Sequence, residues 1–185
     1  MVFISFLRGI NVTGNHMVKM EALRRAYERQ GFKPVKTLIN SGNVVFAARA
    51  MDEKKLASKI EGEIEREFGF RPAVMLRTTE ELRTIVEANP FNGRDGIHPS
   101  KLVVMFLCAE CAPDAAKKVR ALTGFPEEVH VVGRELFVYF PNGQGKATLK
   151  QDAIDRALGA KTTARNWNTT TKLLALAEEM ERAVR

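Results

Sequence analysis

Leu102-Val-Val-Met-Phe-Leu107 is a run of six apolar residues set between polar flanks. Its shortness and β-branched content predict a strand rather than a helix. It shows no polar alternation, so the sheet that holds it is expected to be covered on both faces. A similar run, Val2-Phe-Ile-Ser-Phe-Leu7, stands about one hundred residues earlier and ends in a polar, glycine-containing loop, 8–16. The segments after the two runs are alike in pattern, and that likeness decides the fold.

After the first run, Met20, Leu23 and Tyr27 recur at helical spacing, with Gly31 as a stop. Residues 35–39 and 44–47 flank Asn40-Ser41-Gly42-Asn43, a set of turn formers that predicts a hairpin. Asp52 can cap a helix whose Leu56, Ile60, Ile64 and Phe68 form one stripe and which Gly69 ends. A short strand, 73–76, completes β-α-β-β-α-β.

After the second run, Pro113 opens a helix carrying Ala115, Val119 and Leu122, with Gly124 as its stop. Residues 128–132 and 136–140 flank Gly133-Arg134 as a second hairpin, and Thr148 with Gln151 spells a capping box before Ile154 and Leu158. Residues 161–164 form the last strand. The expected fold is therefore α+β: two ferredoxin-like βαββαβ units with extra helices, packed as one globule. The boundaries are 1–77 for the first unit, 78–100 for a linking helix and loop, 101–165 for the second unit and 166–185 for a C-terminal helix. Thr78 and Glu81 spell a capping box for the linking helix, which ends near Asn89-Pro90. The two added helices are natural covers for the sheets' second faces.

The chain has 185 residues, 45% hydrophobic and 28% charged, which excludes global disorder. Two cysteines exclude a disulfide scaffold, and no apolar run reaches the roughly 20 residues of a membrane span. The start lacks the basic leader and long apolar core of a signal peptide, so a soluble, cytoplasmic, monomeric protein is expected. The net charge is +7, but the basic residues are scattered and form no tail.

Three stretches stand together: Leu7-Arg-Gly-Ile-Asn-Val12 continuing to Val18-Lys-Met20, Ser41-Gly-Asn-Val-Val-Phe46, and Arg165-Asn-Trp-Asn-Thr169. In combination they resemble the bacterial domain of unknown function family 1697, across nearly the whole chain. The resemblance implies a duplicated ferredoxin-like fold of uncharacterised activity, and it brings no catalytic residue or cofactor.

The polar junctions carry the candidate chemistry. Arg8 directly follows an apolar strand, where a guanidinium needs a carboxylate or an anion; Asn11 and Lys19 share its loop. The same asparagines and glycines can also simply build turns. Residues 141–148, with Gly143, Gly145 and Lys146, run from strand to helix as an anion-binding turn would, or as a plain connection capped by Thr148. They do not form a Walker A loop. Arg165 and Asn168 open the last helix beside Trp167, which can wedge between elements or flank a ligand. Asn43, in the hairpin turn, completes the candidate set. Cys108-Ala-Glu-Cys111 is a lone CxxC read as incidental, and His16, His98 and His130 form no metal or triad pattern.

These residues predict a protein that binds a small phosphate- or carboxylate-bearing ligand at the junction of the two units. The alternative is a non-catalytic module that binds nucleic acid or protein through a basic surface. Phe137-Val-Tyr-Phe140 matches part of an RNA-recognition signature, but Glu135, Asn43 and Val45 stand where stacking rings belong. The sequence identifies no nucleophile, general base, reaction, metal site or cofactor.

Overall fold

The computed structural model describes every residue except 13, 15, 123–125 and 185. The fold is α+β, with two four-stranded antiparallel sheets and, among the described residues, six α-helices. The chain divides into two units: 1–83 with 172–185, and 84–171.

In unit 1 the order is β1 (Val2–Leu7), α1 (Met20–Arg29), β2 (Val35–Leu38), β3 (Asn43–Ala47), α2 (Glu53–Phe68) and β4 (Val74–Thr78). Helix α3 (Thr79–Glu87) then leads out of the unit. The sheet order is β2-β3-β1-β4, so the most apolar strand is central. Local signals place the helix ends. Asp52 accepts from the Lys55 amide at 3.0 Å, and Gly69 closes α2 in the left-handed region. Thr78 and Glu81 form the reciprocal capping box: the Thr78 amide donates to Glu81 at 2.7 Å and the Glu81 amide to Thr78 Oγ1 at 3.2 Å.

Unit 2 repeats the order with β5 (Leu102–Leu107), α4 (Ala115–Leu122), β6 (Glu128–Val132), β7 (Glu135–Tyr139), α5 (Gln151–Leu158) and β8 (Thr162–Asn166). Its sheet order is β6-β7-β5-β8. Helix α6 (Trp167–Val184) starts here and ends in unit 1. Asn166 Oδ1 accepts from the Asn168 amide at 3.0 Å, so Asn166 is the cap of α6. The expected capping box at Thr148 and Gln151 does not form. Thr148 donates its amide and hydroxyl to Glu127, Gln151 donates to the Thr162 carbonyl, and α5 starts without a side-chain cap. Nearby acceptors took both groups. The stop expected at Gly124 lies outside the described residues.

Every residue of β1 and of β5 is buried. Phe3 and Leu7 face α1 and α2, while Ile4 and Phe6 point to the other side of the sheet. Lys36, also on that other side, pairs with Glu179 of α6 at 2.8 Å. Leu173, Ala177 and Met180 form the buried stripe of α6. Arg83 of α3 bonds Glu178 at 3.1 Å, which fastens the two added helices together. In unit 2, Trp167 packs on Phe137, and Phe91 packs on Tyr139 and His130, all on the sheet face away from α4 and α5.

Two contacts give tests of this packing. Gly42 has φ of 70°, and a Cβ there would lie 2.9 Å from Leu7 Cβ and 3.0 Å from Ile10 Cγ1. Gly143 has φ of 81° with nothing within 4 Å. Gly42→Ala should therefore destabilise by about 2–4 kcal/mol and Gly143→Ala by about 1 kcal/mol in urea denaturation. Equal losses would contradict the close approach. Secondly, Arg94 bonds both oxygens of Glu128 at 2.7 and 2.9 Å, and His130 bonds Glu128 at 2.7 Å. Arg94, and then His130, hold the Glu128 carboxyl down to about 2 against a partial cost of burial. A depressed carboxylate stabilises the fold above its unfolded value near 4.5 and loses that contribution as pH falls toward 2. Glu128→Gln should make stability less sensitive to pH across that window. An unchanged profile would mean that solvent screens the pair completely.

Candidate functional site

Two loops meet at one end of unit 1. The Leu7 amide donates to the Gly42 carbonyl at 2.9 Å and the Arg8 amide to the Ala73 carbonyl at 3.0 Å, so the loop leaving β1 is pinned between its two neighbours. Arg8 itself is half-buried at this exit. Asn11 then organises the site. Its Nδ2 donates to the Val18 carbonyl at 3.0 Å and to the Asn40 carbonyl at 2.8 Å, while its Oδ1 accepts from the Val18 amide at 2.7 Å. One side chain thus closes the 11–18 loop and ties it to the β2–β3 turn. His16 stacks on Phe70 with centroids 4.1 Å apart.

The backbone here is strained. Asn11, His16 and Ile39 have φ of 55°, 49° and 51°, and among the described residues they are the non-glycine positions in the left-handed region. Asparagine tolerates that region, but a β-branched isoleucine does not, and such residues cost roughly 1–3 kcal/mol each. Ile39 is nevertheless 55% exposed, Met17 70% and Val12 54%.

Between these loops lies a cleft of about 670 Å³, walled by Asn11 and Asn40 and by residues 17–21. The N-terminus of α1 opens onto it. Lys19 occupies the cap position and makes no side-chain capping bond with the first-turn amides. The neighbouring acid, Glu21, is held below the usual carboxylate range by its bond to Arg24 at 2.6 Å. Lys19 is exposed and carries its charge at the rim.

The other candidates lie elsewhere. Asn43 is buried and donates to the Leu38 carbonyl and to Ser41 Oγ, so it builds the turn that seats Gly42. In unit 2, residues 144–146 form a single 3₁₀ turn after Gly143, with Gly145 and Lys146 exposed. Glu127 bonds Thr148 beside this turn and adds negative charge next to the expected anion site. Arg165 is 7% exposed, and its Nη1 donates to Thr163 Oγ1 at 2.8 Å and to the Ala164 carbonyl at 2.7 Å. Burial pulls its guanidinium down to about 10. Ala164 lines the crevice next to Gln144, so Arg165, the next residue in the strand, points to the opposite face from the Lys146 turn. Asn168 is exposed in the first turn of α6.

Sequence reading missed the strain at Ile39 and the counterpart of Arg165 at the equivalent position of the first sheet. Arg77 pairs with Ile4 on β1 as Arg165 pairs with Val104 on β5, and each stands two residues before a helix. Arg77 is also buried, with Nη1 donating to the Leu76 carbonyl. The repeated arginine, polar cap and helix start were the available signal.

Cys108 and Cys111 are free thiols, and burial pushes the Cys111 thiol up. Among the described residues no group of three His, Cys, Asp or Glu side chains could hold a metal, and no helix is long and apolar enough to cross a membrane.

The fold is similar to that of the conserved bacterial protein SP0830 from Streptococcus pneumoniae, at a TM-score of 0.69 and 22% identity over 95% of this chain and 98% of that one. No curated protein matches the chain. Residues 1–137 match the model of DUF1697, described as a protein of unknown function, and the chain belongs to that family.

Proposed function

We propose that the chain binds a small phosphate- or carboxylate-bearing ligand in the cleft at the loop end of unit 1. The observation that carries this reading is the convergence of the three strained residues, Asn11, His16 and Ile39, on the two loops that meet at that cleft. Strain of this kind persists where surrounding structure holds it and is concentrated at ligand sites. The uncapped first turn of α1 supplies amide donors and a partial positive charge, and Lys19 supplies a full one. Asn11 holds both loops in place, Met17 in the cleft wall offers apolar surface for the remainder of the ligand, and the exposed Ile39 adjoins Asn40 at its edge. Arg8 adds positive charge at the base of the same loop.

On the same reading the two units are ferredoxin-like and related by duplication. The shared element order, the matching sheet orders, the equivalent registers of Arg77 and Arg165, and the helix after each sheet support this.

A thermal-shift screen of phosphorylated and carboxylated metabolites, followed by calorimetry, tests the site. Lys19→Gln should weaken the best binder by roughly tenfold, as loss of one charge-assisted contact does, while Lys146→Gln should leave it unchanged. Ile39→Gly should raise stability by about 1 kcal/mol and still weaken binding, because the strain and the apolar contact are removed together. A screen without any shift, or a loss on Lys146→Gln alone, would overturn the assignment.

A further inference from the structure

We propose that unit 1 carries a second, separate surface at the opposite end of its sheet, which binds the phosphate backbone of duplex nucleic acid without reading its sequence. The surface consists of Lys33, Arg49, Lys54, Lys55 and Lys59, all exposed. Backbone pairing brings them together. The Lys33 amide donates to the Ala47 carbonyl at 3.2 Å and the Ala48 amide to the Met1 carbonyl at 3.0 Å, so the backbone that leads into Arg49 runs beside Lys33 at the N-terminal end of β1. Lys59 Nζ donates to the Gln30 carbonyl at 3.1 Å and lies 5.1 Å from the centroid of the Phe32 ring, so the first turns of α2 stand against the same end. Lys55 is one helical turn before Lys59 on the same flank.

Several other cations of the unit are neutralised locally. Arg24, Arg29, Arg66 and Arg71 are each paired with glutamates. Among the described residues, no carboxylate pairs with Lys33, Arg49, Lys54, Lys55 or Lys59. The acids of the stretch are Asp52, which accepts from the Lys55 amide as the cap of α2, and Glu53. Positive charge therefore accumulates on three adjoining elements. Such a spread of point charges on open surface matches a polymer of repeated phosphates rather than one small anion.

The chemistry also sets the mode of contact. Phe32, the ring beside Lys59, is 4% exposed, so it is not open for bases to stack on. Contact is then to the backbone, which gives affinity and orientation but no sequence information. A bilayer is the less suitable polyanion. Docking on it needs an apolar helix face as well as charge, and the large apolar side chains exposed at this end are the unbranched Met1 and Met51.

Fluorescence anisotropy of the full chain with a mixed-sequence duplex of about 20 base pairs, from about 50 to 200 mM salt, tests the surface. Five phosphate contacts predict a slope of log affinity against log salt of about −4.5. The double variant Lys33→Gln, Arg49→Gln replaces exposed side chains, so its thermal melt should match the parent. Its slope should be shallower by about 2, with at least a tenfold loss of affinity near 100 mM salt. Lys117→Gln with Lys161→Gln, in unit 2, should change neither. Absence of binding at the lowest salt, or an equal loss in the unit 2 control, would overturn the proposal. So would capture by phosphatidylserine vesicles without duplex binding. Because these residues are distinct from Lys19 and Asn11, failure here leaves the cleft untouched, and failure of the cleft leaves this surface untouched.

Discussion

Burial of β1 and β5 on both faces is the constraint on which the rest of the structure depends. A four-stranded antiparallel sheet with two helices on one side leaves its other side to water. Here that other side carries Ile4, Phe6, Val45 and Met75 in unit 1 and Val104, Phe106 and Phe137 in unit 2, all buried. Each such side chain contributes about 1.5–3 kcal/mol when removed from water, so leaving either face open would cost an amount comparable to a domain's net stability. The chain meets this by adding one helix after each sheet. In unit 1 the last half of α6 is anchored at Lys36 through Glu179 and to α3 through Arg83 and Glu178. In unit 2, Phe91 and Trp167 lie on the corresponding face.

The same constraint explains the buried arginines. Arg77 and Arg165 stand on the covered faces, where a guanidinium must find acceptors within the protein. Both donate to a carbonyl of the preceding residue, Leu76 or Ala164. Each lies at the point where the last strand of a sheet hands over to the covering helix, immediately before the capping residue Thr78 or Asn166. Arg165 sits within a seam that joins sheet to helix. A rigid sheet end in turn permits strain in the loops attached to it. Gly42 locks the β2–β3 turn against Leu7 and Ile10, and Ile39 is held in the left-handed region three residues away.

Much of this was legible in the chain. The apolar run at Val2–Leu7, interrupted by Ser5, and the run at Leu102–Leu107 announced two strands, and the lack of polar alternation in the second announced a sheet covered on both faces. Asp52, Gly69, and Thr78 with Glu81 marked helix ends by local rules that hold in the fold. Thr148 followed the same local rule and lost to a tertiary acceptor, Glu127, that is distant in sequence. The site was legible only in part. Asn11 and Lys19 stand where the loop pattern suggested, but the burial of Asn43 and Arg165 depends on which sheet face each occupies. Face follows from register, and one residue of register moves a side chain from rim to interior. Strain at Ile39 has no composition signal at all, since nothing in the residue type asks for a positive φ.

Native-state hydrogen exchange followed residue by residue measures the central claim directly. If the C-terminal part of α6 is an integral cover for the first sheet, amides of 173–180 should open with the same free energy as those of β1, through one cooperative unit. Exchange of α6 through a much lower opening, with β1 still fully protected, would show that the second face of the sheet is stable without its helix and would contradict the account.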